Sequence, residues 1–167
     1  IAMTTHSPLG WGMGNKLIAK QEVNMADVHK KGLNAELVEN DLEHCCNICG
    51  QCQNEACVIG YGKHCIREYQ QEPKKLVANG TEKIPTTDFK TYDEAELEIA
   101  IAHILKECKD CKEDHDENCI INVIRNCYEV GLLGDVQPYE GSTIQYLMRL
   151  QSDFPEKAAQ VAEIYKS

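Results

Sequence analysis

Two stretches of the chain, HCCNICGQCQNEACVIGYGKHC at residues 44–65 and HILKECKDCKEDHDENCIINVIRNC at residues 103–127, follow one cysteine plan. Each reads His-x4-Cys-x2-Cys, a spacer, then Cys-x7-Cys, with a spacer of four residues in the first copy and seven in the second. The first copy places Cys49, Cys52, Cys57 and Cys65 where the second places Cys108, Cys111, Cys119 and Cys127. Ordinary core packing constrains size and polarity, not sulfur, so a repeated set of four thiols points to chemistry. Both copies must then build similar local structure, which implies an internal duplication.

Helical signals surround both sets. Asn34 is a plausible cap for NAELVENDLEH, and an earlier segment, NKLIAKQEVNMADVHK, predicts a short helix ended by Gly32. Thr91 followed by Glu94 resembles a capping box before DEAELEIAIAHILKE, where Leu97, Ile101, Ile104 and Leu105 recur at helical spacing. Ser142 predicts the start of STIQYLMRL, and Asp153 with Pro155 and Glu156 the start of PEKAAQVAEIYK. Only CIINVI is β-branched enough to compete as a strand. The expectation is an all-α fold: duplicated helical hairpins forming a bundle organised around cysteine-ligated metal sites. It is read as one domain over 1–167, with a flexible arm over 1–14, the first cysteine repeat over 33–72 and a connector over 73–93. The second repeat covers 94–134 and C-terminal helices cover 135–167.

Composition narrows the chemistry. The net charge of −10 repels a phosphate backbone or an anionic surface, which disfavours nucleic acid and membranes as partners and favours a protein partner with a basic face, such as a redox partner. No apolar run is long enough to span a bilayer, and the expected location is cytoplasmic. In a reducing compartment ten cysteines would not persist as disulfides, leaving metal binding or thiol redox; in a secreted protein the same even count would fit five disulfides. Two Phe and one Trp leave little aromatic material for a core, so bound metal would also support folding.

Spacing favours one metal chemistry over another. If Cys119 and Cys127 share a straight helix they stand about 12 Å apart along its axis, whereas four sulfurs around one zinc lie about 3.8 Å from each other. A cubane iron–sulfur cluster carries its ligands on separate irons and tolerates a wider set, so the leading expectation is a [4Fe–4S] protein acting in electron transfer, cluster carriage or redox sensing. The compact Cys-x2-Cys-x2-Cys-x3-Cys-Pro run of bacterial-type ferredoxins is missing from both copies. Zinc in a structural or interaction protein is the alternative, because CNICG at residues 46–50 has the Cys-x-x-Cys-Gly form of a zinc knuckle. The eight repeated cysteines are the predicted ligands; Cys45, Cys46, His44 and His103 are secondary candidates, the histidines either as ligands or as donors to a thiolate. No nucleophile, base and pocket signature is evident, so the leading reading is a non-enzyme.

A third reading comes from a different class. Glu96, Cys108, Cys111 and His115 fall in the order Glu-x11-Cys-x2-Cys-x3-His, which resembles the active-site spacing of alkylhydroperoxidases related to carboxymuconolactone decarboxylases. The resemblance covers residues 96–115 and implies a peroxidatic Cys111, a resolving Cys108 and a proton relay through Glu96 and His115. It gives no role to the cysteines of the first copy.

Overall fold

A computed structural model describes residues 32–110 and 114–167, all within one unit, Gly32–Ser167. The arm over 1–14, the helix expected over 15–31 and Cys111 lie outside the described residues. Six α-helices and no strand are found among the described residues: α1 (Ala35–Cys45), α2 (Val58–Gln71), α3 (Glu94–Asp110), α4 (Ile120–Leu133), α5 (Thr143–Asp153) and α6 (Pro155–Lys166). None of these helices is long and apolar enough to cross a membrane.

Local chemistry sets most boundaries. The Asn34 side chain accepts the Leu37 N–H and starts α1, and Ser142 accepts the Gln145 N–H to start α5, both as the sequence predicts. Helix α3 starts differently. Asp93, not Thr91, accepts the N–H groups of Ala95 and Glu96 at 3.1 and 3.3 Å, because the first unpaired helical donors lie two and three residues beyond it. Asp153 is the last residue of α5 and does not cap α6; Phe154 takes the junction (φ −136°, ψ 67°) because Pro155 excludes helical backbone at the residue before it. The β-branched CIINVI run is the start of α4. Its only strand-like feature is one antiparallel bridge between Leu76 and Cys119, flanked by Val77 N–H to Asn118 O and Ile120 N–H to Lys75 O at 2.8 Å each.

Helices α1 to α4 close a ring in which α1 and α4 each pack on both α2 and α3, while α6 covers α3 and α5 packs on α6. Helix α4 is the most buried member of the ring, continuously from Ile120 to Val130. Two pairs run antiparallel. The start of α1 meets the end of α3 where Asn34 N–H reaches Glu107 at 3.0 Å, and the end of α1 meets the start of α3 where His44 stands 3.7 Å from Glu96. The bridge at 75–77 brings the chain after α2 to the start of α4, while Tyr92, next to the α2 start through Asp88, packs against Gly131 near the end of α4. Gly62 of α2 lies against both α1 and α4: a Cβ there would stand 2.9 Å from Leu42 Cδ2 on α1 and 3.8 Å from Cys127 Cβ on α4.

This antiparallel order has a direct consequence for the cysteines. The segment over 46–57 lies where α1 ends and α2 begins, and the segment over 114–119 leads into the start of α4. They therefore sit at opposite ends of the ring, separated by the length of a 14-residue helix, about 20 Å.

Candidate thiol sites at the two ends of the ring

At the first end α1 stops at Cys45, just before Asn47 and Gly50, two weak helix formers. Cys46 caps it, and the chain then tightens through Cys49 N–H to Cys46 O at 2.9 Å. The Cys49-x-x-Cys52 step therefore lies outside the helix. Cys52 accepts the Asn54 N–H at 3.4 Å, and Asn54 takes a left-handed φ of 50°. Cys57, in extended conformation, caps α2: its sulfur accepts the Gly60 N–H at 3.3 Å and its thiol donates to Asn54 O at 3.3 Å. Only glycine fits at position 60, since a Cβ there would come within 1.7 Å of Asn54 O.

Cations and polar groups from elsewhere surround this turn. The Lys90 ammonium donates to Cys49 Sγ at 3.5 Å and to Gln51 O at 2.8 Å. Lys63 lies within hydrogen-bonding reach of Cys46 and pairs with Glu43 at 2.8 Å. Burial pushes the Cys46 thiol up, Lys63 opposes that push, and Cys57 and Cys49 reinforce it as neighbouring thiols. Asp88 accepts the Val58 N–H at 3.0 Å and the Tyr92 hydroxyl, which also faces Cys57. Cys45 is fully buried in the core, and burial raises its thiol.

The second end is built differently. Leu105, Lys106 and Glu107 sustain helix, so α3 runs on to Asp110 and carries Cys108 on its last turns. Cys108 Sγ donates to the Tyr139 hydroxyl at 3.1 Å. The Tyr139 ring has His115 at its edge, centroids 5.1 Å apart, and the Arg125 guanidinium over its face at 4.4 Å. Arg125 is buried, donates to Glu129 Oε1 at 2.8 Å and leaves Nη1 without a partner. Burial and then Cys108 push the Tyr139 phenol up to about 12, while burial and then Arg125 lower the His115 pKa. Cys119 caps α4 by accepting the Asn122 N–H at 3.5 Å, as Cys57 caps α2.

Cys65 and Cys127 belong to neither end. Each follows its capping cysteine by eight residues on a continuous helix, about 12 Å along the axis, and each is buried. Burial pushes Cys65 up to about 11 and raises Cys127 further, with Cys65 as the strongest neighbouring charge on Cys127. The histidines pair with acids across α1 and α3: His103 Nδ1 stands 2.9 Å from Asp41 and His44 3.7 Å from Glu96. Glu96 and Cys108 share α3 twelve residues apart, about 18 Å, so the structure does not bring Glu96 to that thiol.

Among the described residues, no group of three or more His, Cys, Asp or Glu side chains stands in metal-holding geometry. The donor chemistry of the first turn nevertheless fits a thiolate site, since backbone N–H groups already point at two of its sulfurs. Lys63, Lys90, Tyr92 and Tyr139 escape sequence spacing, because three of them come from segments outside the cysteine motifs. Gly60 and Gly62, which in the sequence offer possible bends between Cys57 and Cys65, lie on the continuous α2, and Gly60 instead permits the close approach to Asn54 O. Comparison with protein-family models, curated proteins and solved structures finds no match for the chain.

Proposed function

We propose that the protein holds an iron–sulfur cluster through Cys46, Cys49, Cys52 and Cys57 and acts in electron transfer, cluster carriage or redox sensing. One observation carries the reading: four thiols occupy a single turn over 46–57, and two of its sulfurs already accept backbone N–H groups. Thiolate ligands need such donors, which also tune a cluster's potential. The turn is the irregular part of the backbone, so its thiols can close on a metal without bending a helix, and metal binding would then couple to local folding. Bound at this end, a cluster would supply one-electron chemistry. The chain's own residues would hold it and keep it in a patch bearing Lys63 and Lys90.

This ligand set differs from the repeated four in the sequence. Cys46 replaces Cys65, because the unbroken α2 sets Cys65 too far from Cys57. By the same logic Cys127, eight residues beyond Cys119 on the unbroken α4, would be left in the core. An internal duplication would account for the parallel element order. Helices α1 and α3 start at residues 35 and 94, α2 and α4 at 58 and 120, and the latter two are both 14 residues long with cysteine caps. A basic face on a partner would complement the net charge of −10.

Zinc is the second reading, favoured by the compactness of the turn: without Cys65, the 12 Å separation no longer argues against one small ion. Anaerobic purification with iron, sulfide and zinc analysis decides between them. Iron with matching sulfide, lost in Cys46→Ser and kept in Cys65→Ser, is the expected result. A colourless protein with stoichiometric zinc replaces the cluster by the second reading, and a protein that takes up neither metal overturns both.

A further inference from the structure

Between the buried Ile84 and Tyr92 the connector buries no side chain, and Phe89 is 94% exposed, so apolar packing does not fix the stretch over 85–91. Hydrogen bonds centred on Asp88 hold it instead. The Asp88 carboxylate accepts the Val58 N–H at 3.0 Å and the Tyr92 hydroxyl on Oδ2, and the Lys90 N–H at 3.0 Å on Oδ1, while its own N–H bonds Pro85 O at 3.0 Å. Two of the three donors stand on fixed elements: Val58 opens α2, and the buried Tyr92 ring packs against Gly131 of α4. The third leads to the thiols. Lys90 carries its ammonium to Cys49 Sγ at 3.5 Å and to Gln51 O at 2.8 Å, with Cys57 also beside it.

We propose that Asp88 is the positioning residue of the first thiol site: anchored by Val58 and Tyr92, it holds the Lys90 backbone where the Lys90 ammonium meets the sulfurs of Cys49 and Cys57. This rests on the thiolate-metal reading of the turn over 46–57. Once metal-bound, those sulfurs have lost their protons and can only accept, and several thiolates around a divalent ion leave the site negatively charged overall. An ammonium placed beforehand stabilises that charge without ordering a flexible lysine at the moment of binding. The carboxylate is what makes the placement firm. Both of its oxygens accept, and hydrogen bonds to a charged acceptor are about twice as strong as neutral ones. An asparagine of the same shape keeps one acceptor oxygen, so its NH2 would face either the Lys90 N–H or the two donors on the other side. Lys63 meets Cys46 from α2 and is braced by Glu43, which puts it outside this chain of contacts. Asp88 acts through Lys90 and is not itself a ligand.

The test is a double-mutant cycle on the metal-free full chain, titrated anaerobically with cobalt(II) and read at the sulfur-to-cobalt charge-transfer band; the first site is the uptake that Cys46→Ser removes. Asp88→Asn and Lys90→Met are each expected to weaken that site by about tenfold and to move the band to lower energy, because a thiolate that loses a donor is easier to oxidise. Adding Asp88→Asn to Lys90→Met, which keeps the Lys90 N–H, is expected to cost less than about twofold more. In iron-loaded protein both single variants should lower the midpoint potential, whereas removal of a negative charge acting only through space would raise it. An undiminished loss from Asp88→Asn in the Lys90→Met background overturns the inference, since Asp88 then acts on the start of α2 or on the fold. Unchanged cobalt affinity in Lys90→Met overturns it as well, whether or not Asp88→Asn folds, and both outcomes leave the metal reading standing. Wild-type protein that binds no cobalt, iron or zinc removes the metal reading and this inference together.

Discussion

At one end of the helical ring Cys46, Cys49, Cys52 and Cys57 share a turn, ringed by lysines; at the other, Cys108 rides on a helix and leans on a tyrosine over a buried arginine. The two regions carry the same sequence plan, and they diverge for local reasons. Asn47 and Gly50 stop α1 early, whereas Leu105 to Lys109 carry α3 onward, so corresponding cysteines stand on different backbone. The cation six residues after the capping cysteine diverges too: Lys63 keeps access to solvent, while Arg125 is buried with Glu129 beneath two tyrosine rings. A shared cysteine spacing therefore does not fix the electrostatics around the thiols.

The largest effect that would sharpen this contrast is in stability. Arg125→Met strands Glu129 in the core and should cost about 3–5 kcal/mol in urea unfolding of the metal-free protein. The corresponding Lys63→Met breaks a pair with a half-exposed Glu43 and should cost about 1 kcal/mol or less. Equal losses would mean that the two ends are electrostatically alike. Next in size is Gly60→Ala, which forces a Cβ onto Asn54 O and should cost about 1–3 kcal/mol while abolishing metal uptake at the first end only. Its counterpart Asn122 already has a Cβ. There, Asn122→Ala loses the bond to Glu117 O, about 1 kcal/mol, and should leave the first end untouched.

The smallest effect concerns the acid–histidine pairs between α1 and α3. Burial holds the Asp41 carboxyl above its ordinary value of 3.8, outweighing the pull of His103. From that value upward the folded protein retains a proton that the unfolded chain has released. Stability from this group is therefore full below the interval and declines as pH rises through it. Urea midpoints of the metal-free protein should show that decline in the mildly acidic range, and Asp41→Asn should remove part of it. An identical slope in the variant would mean that Asp41 is not its source; Glu129, raised by burial as well, is then the group to replace.

Much of the helical framework was legible from local signals. Asn34 and Ser142 cap where they were expected to, and Leu97, Ile101, Ile104 and Leu105 face the core at the spacing that predicted α3. Asp93 in place of Thr91 and Phe154 in place of Asp153 are shifts of one or two residues, set by which N–H groups lack partners and by the backbone limits of proline. The candidate site was half legible. Spacing put Cys57 with Cys65 and Cys119 with Cys127, but the same x7 spacing on a helix draws each pair apart by about 12 Å.

The sequence by itself determined an all-α chain in which two similar sets of thiols interrupt helices, because caps, apolar periodicity and cysteine spacing act over a few residues. Only the tertiary structure decided that α2 and α4 run antiparallel, which sends the two thiol turns to opposite ends and leaves Cys65 and Cys127 between them in the core. It also decided that Lys90 reaches Cys49 and Tyr139 reaches Cys108, contacts across 41 and 31 residues. Such contacts arise from how apolar faces bury against one another, and no local pattern in the chain records them.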